Sequence, residues 1–187
     1  MKKGLLIILS GPSGVGKGTV RELFCKDPEL NIAYSVSMTT RARRDNETNG
    51  VEYFFVDRPT FEKAIKEGDL LEHAEFVGNY YGTPKKYVDD LRNQGKNVLL
   101  EIEVEGAKQV ISKVQDALTI FIVPPSMEEL ENRIRGRRSE TEEVVQLRLA
   151  KAAKEMEKLG TYKFIVCNDD PHLAAQIISL IIKRHME

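Results

Sequence analysis

The run LLIILSGPSGVGKGTV, Leu5 to Val20, decides the fold. Its first part is a short, almost wholly apolar stretch of the kind that forms a strand buried on both faces. A loop of the form G-x-x-x-x-G-K follows, with Gly11, Gly16 and Lys17 at the fixed places. Glycines there let backbone N–H groups turn inward around a phosphate, because they accept φ values that other residues resist. Val20, Leu23 and Phe24 then share one face of a helix starting near Gly16, whose N-terminus adds partial positive charge. Strand, glycine loop and helix together predict a phosphate site. Gly18 stands where such loops usually carry the Ser or Thr that ligates Mg²⁺, with Thr19 one place later.

Working outward, the apolar runs NVLLEIEV (Asn97 to Val104), LTIFIV (Leu118 to Val123) and KFIVC (Lys163 to Cys167) alternate with helical patterns. That alternation predicts an α/β fold with a doubly wound parallel sheet. Helices are expected near Lys86 to Asn93, Glu105 to Val114, Met127 to Arg137, Glu142 to Lys158 and Leu173 to His185. Between Tyr34 and Thr83 the pattern changes to short strands (YSVSM, VEYFFV) and a helix at Phe61 to Lys66, a small β-rich insertion. EIEVEGA is expected to set Glu101 and Glu103 on one side of a strand at its C-terminal end, where open α/β sheets collect ligands. Carboxylates capping the following helix are the plainer reading.

The chain has 187 residues, 41% of them hydrophobic, enough for one α/β core with inserted segments, and a net charge of −1 gives no bulk reason for nucleic-acid binding. Basic residues cluster locally at Arg41 to Arg44 and Arg133 to Arg138, as solvated faces or anion grips. Cys25 and Cys167 read as reduced, buried core thiols, which implies a cytoplasmic location. The N-terminal apolar run is too short for a signal segment or membrane span, so no membrane association is expected. His73, His172 and His185 lack metal-ligand spacing.

GPSGVGKGT, SVSMTTRARR, NGVEYFF, LLEHAEFVGNYYGTP, EIEVEGA, IFIVPPS, GRRSETEE and VCNDD follow one another in the order and spacing of the guanylate kinases, and the chain resembles that family from Leu5 to about Asp170. The resemblance implies a P-loop core in three parts (1–33, 85–125 and 151–187), a GMP-binding insertion (34–84) and a helical lid (126–150). It implies ATP and GMP as substrates, with Mg²⁺ carried by phosphates and water near Glu101 and Glu103 rather than ligated directly by protein. ATP is expected on Gly11, Pro12, Ser13, Gly14, Val15, Gly16, Lys17, Gly18 and Thr19, with Arg133, Arg137 and Asn168; capping of its own loop is the other reading of Asn168.

For GMP, the resemblance implies a phosphate grip of Arg41, Arg44, Tyr53 and Tyr81, with the base read by Ser37, Glu72 and Thr83, and Glu103 as a further contact. Chemistry agrees: two guanidinium forks and a phenol suit a phosphate, and one carboxylate accepts both adjacent donors of guanine, N1–H and N2–H₂. Lys17, Arg41, Arg137 and Arg148 are the expected catalytic cations, since phosphoryl transfer needs charge neutralisation more than a base. A catalytically silent guanylate-kinase-like interaction domain is the alternative, against which the intact Lys17 and loop glycines stand. A kinase for AMP, a pyrimidine nucleotide or a sugar phosphate is opposed by Glu72, Ser37 and Thr83. A GTPase is opposed by the missing N-K-x-D motif.

Overall fold

The structure is a computed structural model that describes residues 2–136 and 141–187. Its strands are β1 (Leu6–Ser10), β2 (Ile32–Tyr34), β3 (Ser37–Thr39), β4 (Tyr53–Phe55), β5 (Leu70–Phe76), β6 (Asn79–Pro84), β7 (Asn97–Glu101), β8 (Leu118–Val123) and β9 (Phe164–Cys167). The helices are α1 (Lys17–Phe24), α2 (Arg58–Glu67), α3 (Lys85–Asn93), α4 (Val104–Lys113), α5 (Met127–Arg135), α6 (Glu142–Met156) and α7 (Pro171–Met186). One sheet has the order β2-β7-β1-β8-β9 and the other β4-β3-β6-β5, the α/β architecture expected from the alternating runs.

Two compact units divide the chain. One holds residues 7–32, 101–104 and 118–187. In it β1 and β8 pair in parallel (Ile7 opposite Leu118), as do β8 and β9 (Ile120 opposite Phe164). Parallel neighbours need a crossover, here supplied by helices. All of β1 is buried, as an apolar run with no polar alternation requires. β9 is an edge strand: Val166 is buried while Ile165 and Cys167 face outward. Cys167 is therefore exposed, not a core thiol, and Cys25 lies only part-buried at the C-cap of α1, where burial pushes its thiol up to about 11. Helix α7 packs on α1 and starts earlier than its apolar spacing predicts. Asp170 caps it by accepting from the N–H groups of His172 and Leu173, with Pro171 in the first turn.

The other unit holds residues 1–6, 33–100 and 105–117. Here β3 runs parallel to β4 and antiparallel to β6, and β5 and β6 form a hairpin. Phe61, Ala64 and Leu70 are buried together with Met38, Val56, Ile65 and Tyr80 packed against them, and the Phe61 and Tyr80 rings stack at 5.3 Å. Asp57 caps α2 through Thr60 N–H, which starts that helix three residues before the expected Phe61.

YSVSM is not one strand. Ser35 N–H donates to Leu99 O, and beyond Val36 the chain joins the second sheet as β3. NVLLEIEV is likewise shorter as a strand than expected: β7 stops at Glu101, because Ile102 N–H donates to Leu9 O, Ile102 O accepts from Ser10 Oγ, and α4 begins at Val104. Glu101 and Glu103 therefore do not share one strand face.

Candidate active site

In the first unit the glycine loop rises from β1 and enters α1 at Gly16, whose φ of 94° is left-handed. A Cβ there would lie 2.7 Å from Asn168 Nδ2, so both conformation and space demand glycine. Asn168 is 4% exposed, and its Nδ2 donates to Val15 O at 2.7 Å. Arg133 on α5 donates to Asn168 O at 3.0 Å and to Val15 O at 3.4 Å. Both residues, expected at the nucleotide, hydrogen-bond the Val15 carbonyl of the loop, and the Asn168 side chain does so across the fold instead of capping its own loop.

Lys17 Nζ donates to Gly11 O at 2.5 Å and Pro12 O at 3.3 Å, folding over its own loop. Burial lowers its pKa, against the raising pull of Glu101, Glu155 and Glu103. Arg148, expected as a catalytic cation, lies on α6 and donates to Ser13 Oγ of the loop at 2.7 Å. Arg137 lies outside the described residues. Its neighbour Arg135 pairs with Glu131 and Glu142 in an exposed ion-pair face, so of the two described arginines of this cluster Arg133 holds the loop and Arg135 lies on the surface.

Glu101 and Glu103 of EIEVEGA each have a basic partner that sequence reasoning missed. Glu101 accepts from Arg21 at 3.0 Å and Glu103 from Lys151 at 2.9 Å. Arg21 is one helical turn beyond Lys17, and Lys151 and Glu155 follow Arg148 at helical spacing, the signal that places them on the loop's side. Mg²⁺ takes oxygen ligands, keeps several waters and binds through one or two carboxylates plus substrate phosphates. Two paired carboxylates and a glycine after the lysine fit a water-bridged, phosphate-held ion. Among the described residues no cluster of three or more His, Cys, Asp or Glu forms a direct metal cage.

In the second unit the register sets Ser37, Thr83 and Glu72 side by side across β3, β6 and β5. Thr83 Oγ1 donates to Glu72 Oε1 at 2.5 Å, and Glu72 is 7% exposed. Burial raises its carboxyl above the ordinary carboxylate range. Arg41 follows β3 and is held by Glu47, Nη2 to Oε1 at 2.6 Å and Nη1 to Oε2 at 3.1 Å. Its guanidinium lies 5.5 Å from the Tyr53 ring centre, and Tyr53 meets Tyr81 edge-on at 6.0 Å. Arg44 N–H donates to the same Glu47. Thus Ser37, Arg41, Arg44, Tyr53, Glu72, Tyr81 and Thr83 assemble within one unit, whereas Glu103 belongs to the loop's unit. Glu47, 8% exposed, is a further residue sequence reasoning missed, since a lone Glu in a polar stretch carries no signal.

The family model for guanylate kinase matches residues 3–185. Among solved structures, the guanylate kinase from Anaplasma phagocytophilum is similar at 36% identity and a TM-score of 0.74, over 99% of this chain and 87% of that one. An uncharacterized protein from Eubacterium ventriosum shares the fold at 14% identity and a TM-score of 0.53, over 97% of this chain and 99% of that one. The SH3-kinase fragment of tight junction protein 3 aligns at 13% identity and a TM-score of 0.48, over 99% of this chain and 58% of that one. The chain, with its glycine loop and its buried Glu72 carboxylate, belongs to the guanylate kinase family.

Proposed function

We propose that the chain transfers the γ-phosphoryl group of ATP to GMP, reversibly, giving ADP and GDP. The observation that carries this reading is the buried Glu72 carboxylate, held by Thr83 beside Ser37, in the same unit as Arg41 and Tyr53. A carboxylate taken out of water is costly unless a ligand supplies donors, and guanine supplies two adjacent ones.

GMP binds with its base on Ser37, Glu72 and Thr83 and its phosphate on Arg41, Arg44, Tyr53 and Tyr81. ATP lies on the loop from Gly11 to Thr19. A phosphate oxygen of GMP forms the new bond to the γ-phosphorus as the bond to ADP breaks. That oxygen is already anionic, so no base is required. Lys17, Arg41 and Arg148, with Arg137 from the segment outside the described residues, neutralise the charge that spreads over the moving group. When Mg²⁺ is bound, Glu101 and Glu103 would hold it through water beside the phosphates, and it would supply further neutralisation of their charge. Glu103 lies in the loop's unit with Lys17, which favours this role over a guanine contact. Arg133 and Asn168 act through the loop they brace. A silent interaction domain would have no use for Lys17 buried against its own loop. This reading places the chain in the cytoplasm, in the recycling of GMP; among the described residues no helix is long and apolar enough to cross a membrane.

Chromatography of the chain incubated with Mg-ATP and GMP tests this directly. Equimolar ADP and GDP are expected; ADP without GDP would make the chain an ATPase and overturn the assignment of GMP.

A further inference from the structure

We propose that one face of α4, carried by Gly106, Gln109 and Lys113, is a clasp that positions the Glu72 carboxylate and so helps set the choice of nucleobase. This rests on Glu72 being the guanine acceptor. β5 is the edge strand of its sheet, so its outward N–H and C=O groups have no neighbouring strand. Side chains of α4 take that place. His73 N–H donates to Gln109 Oε1 at 3.1 Å, and Gln109 Nε2 donates back to His73 O at 3.0 Å, a strand-like pair made by a side chain. Lys113 Nζ donates to Leu70 O at 3.0 Å and Leu71 O at 2.9 Å, where the β5–β6 register shifts.

The two grips thus fall immediately before and immediately after Glu72. Residues 106, 109 and 113 follow the three- and four-residue steps that put side chains on one helical face. The third member works by what it lacks: a Cβ on Gly106 would lie 3.0 Å from Glu72 Oε2. The ammonium of Lys113 also favours the charged form of Glu72, against the burial that disfavours it. A helix that merely covered an edge strand would need neither a bidentate amide nor an open space at the carboxylate.

Initial-rate kinetics and hydrogen exchange on full-length variants test the clasp. Gln109→Ala and Lys113→Met should each raise KM for GMP by about tenfold, with kcat and KM for ATP within about twofold of the parent, because base binding is common to ground and transition states. Lys113→Arg keeps the donors and should stay within about twofold. In the protein without nucleotide, Gln109→Ala should speed exchange of the His73 amide, a readout that does not depend on GMP being the substrate. If KM for GMP stayed within about twofold in both disruptive variants while melting temperatures fell, the face would be structural cover and the clasp would be wrong. An unchanged His73 exchange rate would likewise overturn it. A parent that fails to phosphorylate GMP would instead remove the assigned substrate and, with it, the clasp's part in nucleobase choice, while faster His73 exchange would still report the grip itself.

Discussion

Glu47 holds Arg41 by both ends of its guanidinium, at 2.6 and 3.1 Å, and also accepts from the backbone of Arg44. The arginine fork assigned to the GMP phosphate is thus oriented before any ligand arrives, and its hydrogen bonds hold Glu47 below the ordinary carboxylate range. Removing the fork should cost more than removing its holder. Arg41→Ala is expected to raise KM for GMP by about 10- to 100-fold, the size of a charge-assisted phosphate bond, and Glu47→Gln by only about threefold. Equal effects in initial-rate kinetics would mean that Arg41 is there for Glu47, not for phosphate.

Lys17 is held by loop carbonyls, not by core packing, so its loss should fall on chemistry. Lys17→Met is expected to fold with a melting temperature within a few degrees of the parent, yet lose at least about 100-fold in turnover, roughly 2.7 kcal/mol of barrier. Thermal melting beside a turnover assay checks both halves. Turnover above about a tenth of the parent's would remove Lys17 from the reaction.

Two loop glycines should respond oppositely to alanine. At Gly16 the left-handed φ and the 2.7 Å approach to Asn168 make Gly16→Ala destabilising by about 1–3 kcal/mol, with a raised KM for ATP. A Cβ at Gly18 meets nothing within 4 Å, and Gly18→Ala inside α1 should be neutral or stabilising by up to about 1 kcal/mol. Melting curves of the pair decide; similar losses would contradict the bracing of the loop by Asn168.

Burial raises the Glu72 carboxyl, which fixes the sign of two pH effects. A raised folded-state value means that stability is fully present below the unfolded carboxylate value and is lost as pH rises through the folded one. Glu72→Gln should therefore melt higher than the parent at neutral pH, with the gap closing toward about pH 4. Binding has the other sign. The ionised form accepts from guanine, so kcat/KM for GMP should fall as pH drops through the raised value, starting above the ordinary carboxylate range. Glu72→Gln should keep only the limb that belongs to the substrate's own phosphate, near about pH 6. A parent profile identical to the variant's would place the guanine contact elsewhere.

The core was legible because β1 and β8 are apolar runs bounded by turn residues, and because the glycine loop has one physical use. The hairpin of β5 and β6 was harder to see. Its turn places Val77 at φ 49° before Gly78 at 73°, a left-handed pair for which sequence leads one to expect Asn or Asp, not a β-branched residue. Glu101 and Glu103 were misplaced on one strand because the apolar alternation of NVLLEIEV continues past Glu101, where Ser10 and Leu9 turn the chain. Arg41 and Glu72 were named through the family resemblance, Arg41 also through its three-residue spacing from Arg44. Glu47, Gln109 and Lys113 were not, because their partners lie across the fold or on an arginine's side chain, and no local pattern reports a hydrogen bond to a backbone 36 to 43 residues away.

Glu72→Ala bears on the central claim most directly, through the ratio of kcat/KM for GMP to that for AMP in the parent and in the variant. The lost carboxylate leaves both guanine donors unpaired in a buried site, while adenine, with an acceptor at N1, loses nothing. The expected fall is about 2 to 4 kcal/mol in kcat/KM for GMP, roughly 30- to 1000-fold, with AMP unchanged or improved. A variant that kept the parent's GMP-to-AMP ratio would contradict the assignment of Glu72 as the residue that selects guanine.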